Sequence, residues 1–282
     1  MRYGRTDEEL ASLPLAYRDD LFKGQVALVT GGGRGIGKAI AFQLARLGAR
    51  VAITGRNAER LEGAAASIRE HTKAEVLALP MTIREPEQVE ATVAAAAERL
   101  GRLDILVNNA GGQFPQAAID FKPKGWNAVI DTNLNGTWYM MQAAARHWRD
   151  GGHGGAIVNI VAVYDRGMPG IAHTAAARAG VAALSKTVAV EWAPLGIRVN
   201  CIAPGVIETE GMEVYPDEAR SRFPQTNPMK RMGDVCDVAN AVCYLAGPTG
   251  GFVTGEVVHI DGGGLLWGDL WTIPKPDYFR DG

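Results

Sequence analysis

Short apolar runs alternate along the chain with longer stretches that have the pattern of amphipathic helices. The runs are rich in β-branched residues and apolar on both faces, which is typical of strands covered on both sides of a parallel sheet. Helical stretches such as KAIAFQLARLG and PEQVEATVAAAAERLG end at glycine, where helices commonly stop. The apolar runs are VALVT (26–30), VAIT (51–54), VLAL (76–79), ILVNN (105–109), AIVNIV (156–161), IRVNCIA (197–203) and VVHI (257–260).

This alternation predicts an α/β fold with a doubly wound, seven-stranded parallel sheet and helices on both faces. No linker, repeat or low-complexity segment interrupts the pattern, so residues 23–282 are expected to form a single domain. Residues 1–22 precede the first strand and are expected to form an N-terminal extension. Segment 206–233 follows the sixth strand with little regular patterning, and we expect it to cover a substrate.

Composition excludes several classes of function. A formal net charge of −2 gives no reason to expect nucleic acid as a partner. No apolar run approaches the length of a membrane span, and the start MRYGRTDEELASLP lacks the apolar core of a signal peptide. The ending PDYFRDG has no S-K-L-type peroxisomal address, so a cytoplasmic location is expected. The cysteines and histidines show no metal-ligand spacing, and we expect no metal.

The stretch TGGGRGIG (30–37) follows the first strand and opens a helix. A glycine-rich turn at this place lets a helix N-terminus bind a pyrophosphate, as in Rossmann-type dinucleotide sites. Gly31 would make the tight turn, while Gly35, Ile36 and Gly37 would let backbone approach the phosphates and let the helix pack on the strand.

The end of the second strand indicates which dinucleotide binds. An acidic residue there would bind the ribose 2′-hydroxyl and repel a 2′-phosphate. This strand ends in ITGR, which puts Arg56 at that position, and Arg34 lies inside the glycine-rich turn. Two guanidinium groups near one 2′-phosphate favour NADP over NAD.

Three motifs in order resemble the short-chain dehydrogenase/reductase family: TGGGRGIG, NNAG (108–111) and NCIAPGVIET (200–209). The resemblance extends over residues 25–263 and ends in VVHIDGG. It implies that Thr82 stands where the family often has an Asp that binds adenine. The resemblance also implies cofactor contacts on the adenosine side and on the nicotinamide side, from Asn109, Ala110, Gly111, Pro204, Gly205, Val206 and Thr209.

In this family a Tyr supplies the proton that a reduced carbonyl oxygen needs, and a Lys one helical turn later lowers its pKa. Aligning RAGVAALSK (178–186) with the family puts Thr174 at the Tyr position and Arg178 at the Lys position. A Thr hydroxyl is too weak an acid near neutral pH, and Arg stays protonated. The usual acid is therefore missing, although Arg178 can still bind ribose hydroxyls.

Tyr164 is the candidate replacement, because it follows the fifth strand at the sheet edge where open α/β sheets bind ligands. Its segment NIVAVYDRGMPGIAHTAAARAGV (159–181), with NNAGGQF (108–114) and KGWNAVIDTNLNGTWYM (124–140), resembles two branches of the family. These are the 2,4-dienoyl-CoA reductases, which have a Tyr at position 164 and an Asn at Asn135, and the peroxisomal trans-2-enoyl-CoA reductases, which share Arg178. Asn133 matches the Asn of the wider family.

The resemblance implies NADPH-dependent reduction of the C=C bond of an enoyl- or dienoyl-CoA thioester, a step of fatty-acid metabolism. Tyr164 and an Asn amide would donate to the thioester oxygen where negative charge collects, and water or Asp165 would protonate carbon. The alternatives are a ketone or alcohol oxidoreductase, a non-catalytic NADP-binding protein, and a Tyr164 that only packs at a strand end. The Ala-rich helix HTAAARAGVAALSKTVAVEW and the family resemblance indicate a homotetramer.

Overall fold

The computed structural model describes residues 4–13, 15–215 and 217–267. Residues 1–3 and 14 of the predicted N-terminal extension lie outside the described residues. So do residues 216 and 268–282 of the predicted domain, which include the ending PDYFRDG. The strands are β1 (Val26–Thr30), β2 (Arg50–Gly55), β3 (Val76–Pro80), β4 (Ile105–Asn108), β5 (Gly155–Ile160), β6 (Ile197–Pro204) and β7 (Val257–Ile260).

Most helices follow the predicted amphipathic stretches. The described helices are α1 (Asp7–Ser12), α2 (Gly35–Arg46), α3 (Ala58–Thr72), α4 (Pro86–Leu100), α5 (Pro123–Ile130), α6 (Gly136–Asp150), α7 (Ala172–Trp192), α8 (Asp217–Arg222) and α9 (Val235–Ala246). Gly101 stops α4 in the left-handed conformation, as its position predicts. A π-helical turn, Asp131–Asn135, joins α5 to α6, and the sequence pattern did not predict it.

All seven strands pair in parallel in the order β3-β2-β1-β4-β5-β6-β7. This confirms the predicted α/β fold, a single Rossmann-type domain with a doubly wound sheet. The strand order changes direction between β1 and β4. Open α/β sheets bind ligands at such a switch point, in the crevice at the carboxyl ends of the strands.

Two apolar layers hold the sheet between helices. On one face, buried residues of α2, α3 and α9 pack against the strands, and on the other face those of α4, α6 and α7 do so. Every residue of β1 is buried, which explains its uninterrupted apolar run. Burial on both faces fixes the register of the strands, and hence the positions of the loops at their carboxyl ends.

The segment before β1 packs on the domain. A capping box between Thr6 and Glu9 begins α1. Asp7 pairs with Lys38 of α2 at 2.6 Å, and Arg5 pairs with Asp234 at 2.6 Å. No helix among the described residues is long and apolar enough to cross a membrane.

Segment 206–233 is more regular than the sequence pattern predicted, because it contains α8 and two 3₁₀ turns. Ile207 forms an isolated parallel bridge with Gly233, which brings the two ends of the segment together. The segment therefore leaves the sheet after β6 and returns to it before α9.

Candidate active site

The glycine-rich turn forms one wall of a cleft of about 810 Å³ at the switch point. Gly31 has a φ of +67°, which favours glycine. A Cβ on Gly37 would overlap the carbonyl oxygen of Gly31 and the Asn109 amide, so only glycine fits there. Ile36, between Gly35 and Gly37, also lines the cleft. Backbone at the start of α2 is thus exposed to a ligand.

Asn109 ties the end of β4 to this turn. Its side-chain nitrogen donates to the carbonyl oxygens of Thr30 at 3.0 Å and Gly31 at 3.3 Å. The backbone N–H groups of Asn109 and Ala110 both donate to the Thr30 hydroxyl, at 3.0 and 2.9 Å. Asn109, Ala110 and Gly111 line the cleft, as the sequence interpretation expects.

Four arginines are among the residues that line the cleft: Arg34, Arg56, Arg60 and Arg84. Arg34 is the residue before α2, and its exposed side chain makes no capping hydrogen bond. Arg60, in the first turn of α3, was not singled out in the sequence, although it lies four residues after Arg56. Positive charge is therefore concentrated where a ribose 2′-phosphate would be bound.

Thr82 also lines the cleft. Its N–H donates to Gln88 Oε1 at 3.1 Å, and its hydroxyl accepts from the Arg84 N–H at 3.4 Å. The hydroxyl keeps its own hydrogen for a ligand. It can therefore still serve an adenine ring, as the sequence interpretation requires.

The π-helical turn presents Asn133 to the loop that follows β4. Asn133 is buried, its Oδ1 accepts from the Gly112 N–H at 2.9 Å, and its Nδ2 donates to the Gly112 carbonyl at 3.0 Å. The Asn135 amide donates to Asp131 at 3.0 Å, which leaves a second N–H. Asn133 thus holds backbone, whereas Asn135 still has a free donor hydrogen.

Arg178 lies directly behind the cleft. Its guanidinium packs so closely on Gly111 that a Cβ there would overlap Nη2. Arg178 is buried, and its Nη1 has no hydrogen-bond partner within the described ranges. Burial lowers the pKa of Arg178 to about 10, so the group is still charged at neutral pH. A buried cation with an unused donor is well suited to bind a polar ligand.

Thr174 is buried at the start of α7 beside His173. Its N–H donates to His173 Nδ1 at 2.7 Å, and its hydroxyl lies 3.3 Å from the same nitrogen. His173 is enclosed by Phe114 and Phe121, whose ring centroids lie 4.7 and 4.5 Å away. These contacts put the hydroxyl of Thr174 next to the imidazole.

Tyr164 follows β5 and is partly buried against an apolar cluster of β6 and α7 residues that includes Val181 and Cys201. Leu134 of the π-helical turn packs against the same cluster. The pKa of Tyr164 is raised by burial and by Asp165 and Cys201, so the phenol keeps its proton at neutral pH. The packing interpretation is therefore correct for the ring, and the hydroxyl remains a donor.

The remaining expected contacts lie after β6. Thr209 lines the cleft, and its Cγ2 lies 3.6 Å from the position a Cβ on Gly35 would occupy. Pro204 ends β6, and Gly205 packs against Asp261 at the end of β7. Val206 instead lines a separate hollow of about 330 Å³ beside β7.

Comparison with known proteins agrees with this geometry. The family model described as enoyl-(acyl carrier protein) reductase matches residues 31–264. A Bacillus subtilis protein named "Probable 2,4-dienoyl-CoA reductase" is 40% identical over 257 residues, 89% of this chain and 98% of that protein. The 3-oxoacyl-(acyl-carrier-protein) reductase of Escherichia coli is 37% identical over 242 residues, 86% of this chain and 98% of that protein.

The chain belongs to the short-chain dehydrogenase/reductase family. Among solved structures, the citronellol catabolism dehydrogenase of Pseudomonas aeruginosa shares 39% identity and a TM-score of 0.79, over 89% of this chain and 98% of that one. This short-chain dehydrogenase/reductase is accordingly an oxidoreductase that uses a nicotinamide cofactor. A dienoyl-CoA reductase and a 3-oxoacyl reductase are similar to it at almost equal identity, so its substrate has to be argued from the site.

Sequence reasoning missed a contact that closes the site of this short-chain dehydrogenase/reductase. The Tyr215 hydroxyl accepts a short hydrogen bond from the Gln113 side chain, which links segment 206–233 to the loop after β4. Tyr215 also packs edge-on against Phe223, with ring centroids 5.4 Å apart. Gln113 is the second residue after the NNAG motif, and that position was the available signal.

Proposed function

We propose that this oxidoreductase uses NADPH to reduce the C=C bond of an enoyl- or dienoyl-CoA thioester. The observation that carries the proposal is that Thr174, and not a Tyr, occupies the family's usual acid position. Thr174 there is buried against His173, while the nearby Arg178 is a buried cation whose Nη1 has no hydrogen-bond partner in the part of the chain that the structure describes. Such a site can stabilise negative charge on an oxygen, but it has no phenol at the family's usual acid position.

The cleft residues fit a nicotinamide dinucleotide. Its pyrophosphate would bind at the start of α2, where a Cβ on Gly31 or Gly37 would collide with Asn109 and with neighbouring backbone, so only glycines allow the turn to pack this closely. Arg178 Nη1 would bind the ribose next to the nicotinamide, which gives a buried donor its partner. Arg34 and Arg56 would bind the 2′-phosphate and so favour NADPH. The bound cofactor supplies the hydride.

The chain's own residues stabilise the product of hydride addition. Negative charge then collects on the thioester oxygen, where the protonated phenol of Tyr164 donates a hydrogen bond. Asn135 offers a second donor through its free N–H, and Arg178 adds positive charge. Asn133 and Thr174 act as supports, because the Asn133 amide is bonded to Gly112 and the Thr174 hydroxyl lies 3.3 Å from His173 Nδ1. Asp165 is paired with His259, which favours water as the source of the carbon-bound proton.

Carbonyl reduction is the second candidate, since a 3-oxoacyl reductase is 37% identical to this chain. An alkoxide needs a full proton from an acid. The raised pKa of Tyr164 makes it a poor acid, and Thr174 is a weaker one. Enolate stabilisation asks only for hydrogen-bond donors, so the site suits the thioester better.

NADPH consumption measured with crotonyl-CoA, a 2,4-dienoyl-CoA, a 3-oxoacyl thioester and a panel of ketones tests the proposal. We expect turnover with an enoyl or dienoyl thioester and little with the ketones. Product analysis must show loss of the C=C bond. Turnover confined to the 3-oxoacyl thioester or the ketones would assign the protein to carbonyl reduction instead.

We also propose a homotetramer formed through α7. This helix presents Ala176, Ala183, Thr187 and Val190 to solvent on one face, and Val190 is 77% exposed. Small side chains allow close approach of a second helix, and symmetric closed assemblies are the common outcome. Light scattering should give the mass of a tetramer, and Ala183→Arg should lower that mass. A monomer at micromolar concentration contradicts this.

A further inference from the structure

The loop after β5 begins with a tight turn at Tyr164. The Gly167 N–H donates to the Tyr164 carbonyl at 2.8 Å, and Gly167 has a φ of +75°. Asp165 and Arg166 are the two central residues of this turn. Asp165 and Arg166 therefore belong to the same turn as Tyr164.

Both central side chains reach to the other end of the chain. Asp165 Oδ2 lies 3.3 Å from Nε2 of His259 in β7. Arg166 Nη1 donates to the Gly264 carbonyl at 3.2 Å and makes a shorter hydrogen bond to the Trp267 carbonyl. The turn at Tyr164 is thus fastened both to a sheet strand and to the segment that follows it.

The receiving segment, residues 261–267, is held by hydrogen bonds between its own residues. The Asp261 carboxylate accepts from the N–H groups of Gly263 at 2.9 Å and Leu265 at 2.7 Å. Gly262 and Gly263 both have positive φ, at +62° and +81°. We name this segment the C-terminal turn.

The C-terminal turn also contacts segment 206–233. A Cβ on Gly262 would lie 2.8 Å from Asn227 Oδ1, and one on Gly263 would lie 2.9 Å from Pro228. Lys230 Nζ lies 5.6 Å from the centroid of the Trp267 ring, as in a cation–π contact. One short turn therefore touches both the Tyr164 loop and the segment expected to cover the substrate.

We propose that Asp165 and Arg166 are positioning residues for Tyr164, and that the C-terminal turn couples Tyr164 to segment 206–233. This rests on the proposed role of Tyr164 as a donor to the thioester oxygen. Arg166 acts through its hydrogen bonds to two carbonyls, and Asp165 acts through His259. Neither side chain touches the reacting atoms.

The first test compares Arg166→Met with Arg166→Lys and with Arg149→Met, a control on the exposed surface of α6. Displacing the phenol should lower kcat about tenfold in Arg166→Met, since small misplacements of a reacting group are costly. KM for NADPH should not change. Arg166→Lys should recover part of kcat because Nζ can still donate to a carbonyl. An unchanged kcat in Arg166→Met overturns the proposal.

A double-mutant cycle shows whether Arg166 acts through Tyr164. In the Tyr164→Phe background, Arg166→Met should cause little further loss, because the donor it positions is gone. Equal losses of kcat in both backgrounds would mean an independent role and overturn the proposal. Hydrogen exchange at residues 164–167 should rise in Arg166→Met and stay unchanged in Arg149→Met. That measurement tests the anchor even if no enoyl thioester is reduced, which would be the failure of the proposed function alone.

Asp165 is tested by a pair of substitutions that separates anchoring from acid chemistry. Asp165→Asn keeps an oxygen that can accept from His259 but cannot supply a proton, whereas Asp165→Ala removes the contact. We expect Asn to keep most of kcat and Ala to lose it. Equal losses in both variants would make Asp165 an acid rather than a positioning residue.

Discussion

At the cofactor end of the cleft, Asn109 donates to the backbone of Thr30 and Gly31. At the chemical end, Arg178 and His173 each bury a nitrogen that has no hydrogen-bond partner among the described residues. Backbone at the cofactor end is thus held in place by contacts within the chain. An unpaired buried donor costs roughly 1–3 kcal/mol, and the cost is recovered when a ligand accepts from it. Substitutions should therefore act on cofactor binding through steric fit and charge at the first end, and on turnover through individual donors at the second.

The largest effect is expected at the chemical end, from Tyr164→Phe. The change keeps the packed ring and removes only the hydroxyl donor. Loss of one oxyanion donor lowers kcat by about 10²–10³-fold, with NADPH affinity nearly unchanged. Steady-state kinetics on one enoyl-CoA, with NADPH affinity measured separately by fluorescence titration, checks both parts.

Thr174→Val is the companion of that variant. Since the hydroxyl lies against His173, its loss should lower kcat by less than about tenfold. If Tyr164→Phe keeps nearly full turnover while Thr174→Val abolishes it, the donor has been misassigned. The donor to the substrate would then be Thr174, at the family's usual acid position. The chemical end would then depart from the family's pattern less than we propose.

The second effect lies at the cofactor end, where Arg56→Asp exchanges a cation for an anion at the expected 2′-phosphate. The substitution removes a charge-assisted contact and adds repulsion, so the preference for NADPH over NADH should fall on the order of 100-fold. Titration of both cofactors gives the ratio. Arg99→Asp, in the last turn of α4, is the charge-matched control. Equal affinity of the unaltered protein for both cofactors would contradict the NADP proposal.

The third effect comes from Gly37→Ala, which changes the shape of the cofactor end and leaves its charge unchanged. In Gly37→Ala the added Cβ overlaps the Gly31 carbonyl and the Asn109 amide, so the preformed turn must shift. Overpacking of about 1–3 kcal/mol would weaken NADPH binding by roughly 5- to 150-fold. Gly63→Ala on α3, with open space at its Cβ, should leave affinity unchanged. Normal NADPH affinity in Gly37→Ala would show that the turn is not preformed.

The sequence predicted the cofactor end better than the chemical end, for physical reasons. Buried strands such as VALVT leave an uninterrupted apolar run, and the glycines of TGGGRGIG mark the turn by their own lack of a side chain. Both signals are local. They therefore yielded the seven strands and the walls of the cleft without knowledge of tertiary contacts.

The chemical end depends on contacts that are distant in sequence. Asn133 was expected near the chemistry, but its pairing with Gly112, 21 residues earlier, follows from the π-helical turn, which has no marker in DTNLN. The anchoring of Arg166 spans 98 residues to Gly264. His173 lies in the first turn of α7, yet its burial between two phenylalanines has no signal in the sequence.

The smallest effect expected is the pH dependence that His173 contributes to stability. Burial lowers the pKa of His173 in the folded protein, while in the unfolded chain it titrates near about 6.5. As pH falls below the unfolded value, the unfolded state binds the proton more readily, and stability is lost. Thermal unfolding should therefore show a midpoint that decreases between about pH 7 and pH 5.

His173→Gln isolates that contribution, because glutamine can still accept from the Thr174 N–H but does not titrate. The variant should lose a few degrees less than the unaltered protein over the same pH range. His71→Gln, at an exposed position of α3, should follow the unaltered protein. If His173→Gln and the unaltered protein show parallel pH curves, the imidazole is not held neutral by burial. Burial of His173 would then not lower the stability of the folded protein at acidic pH. The chemical end would then not differ from the cofactor end in this respect.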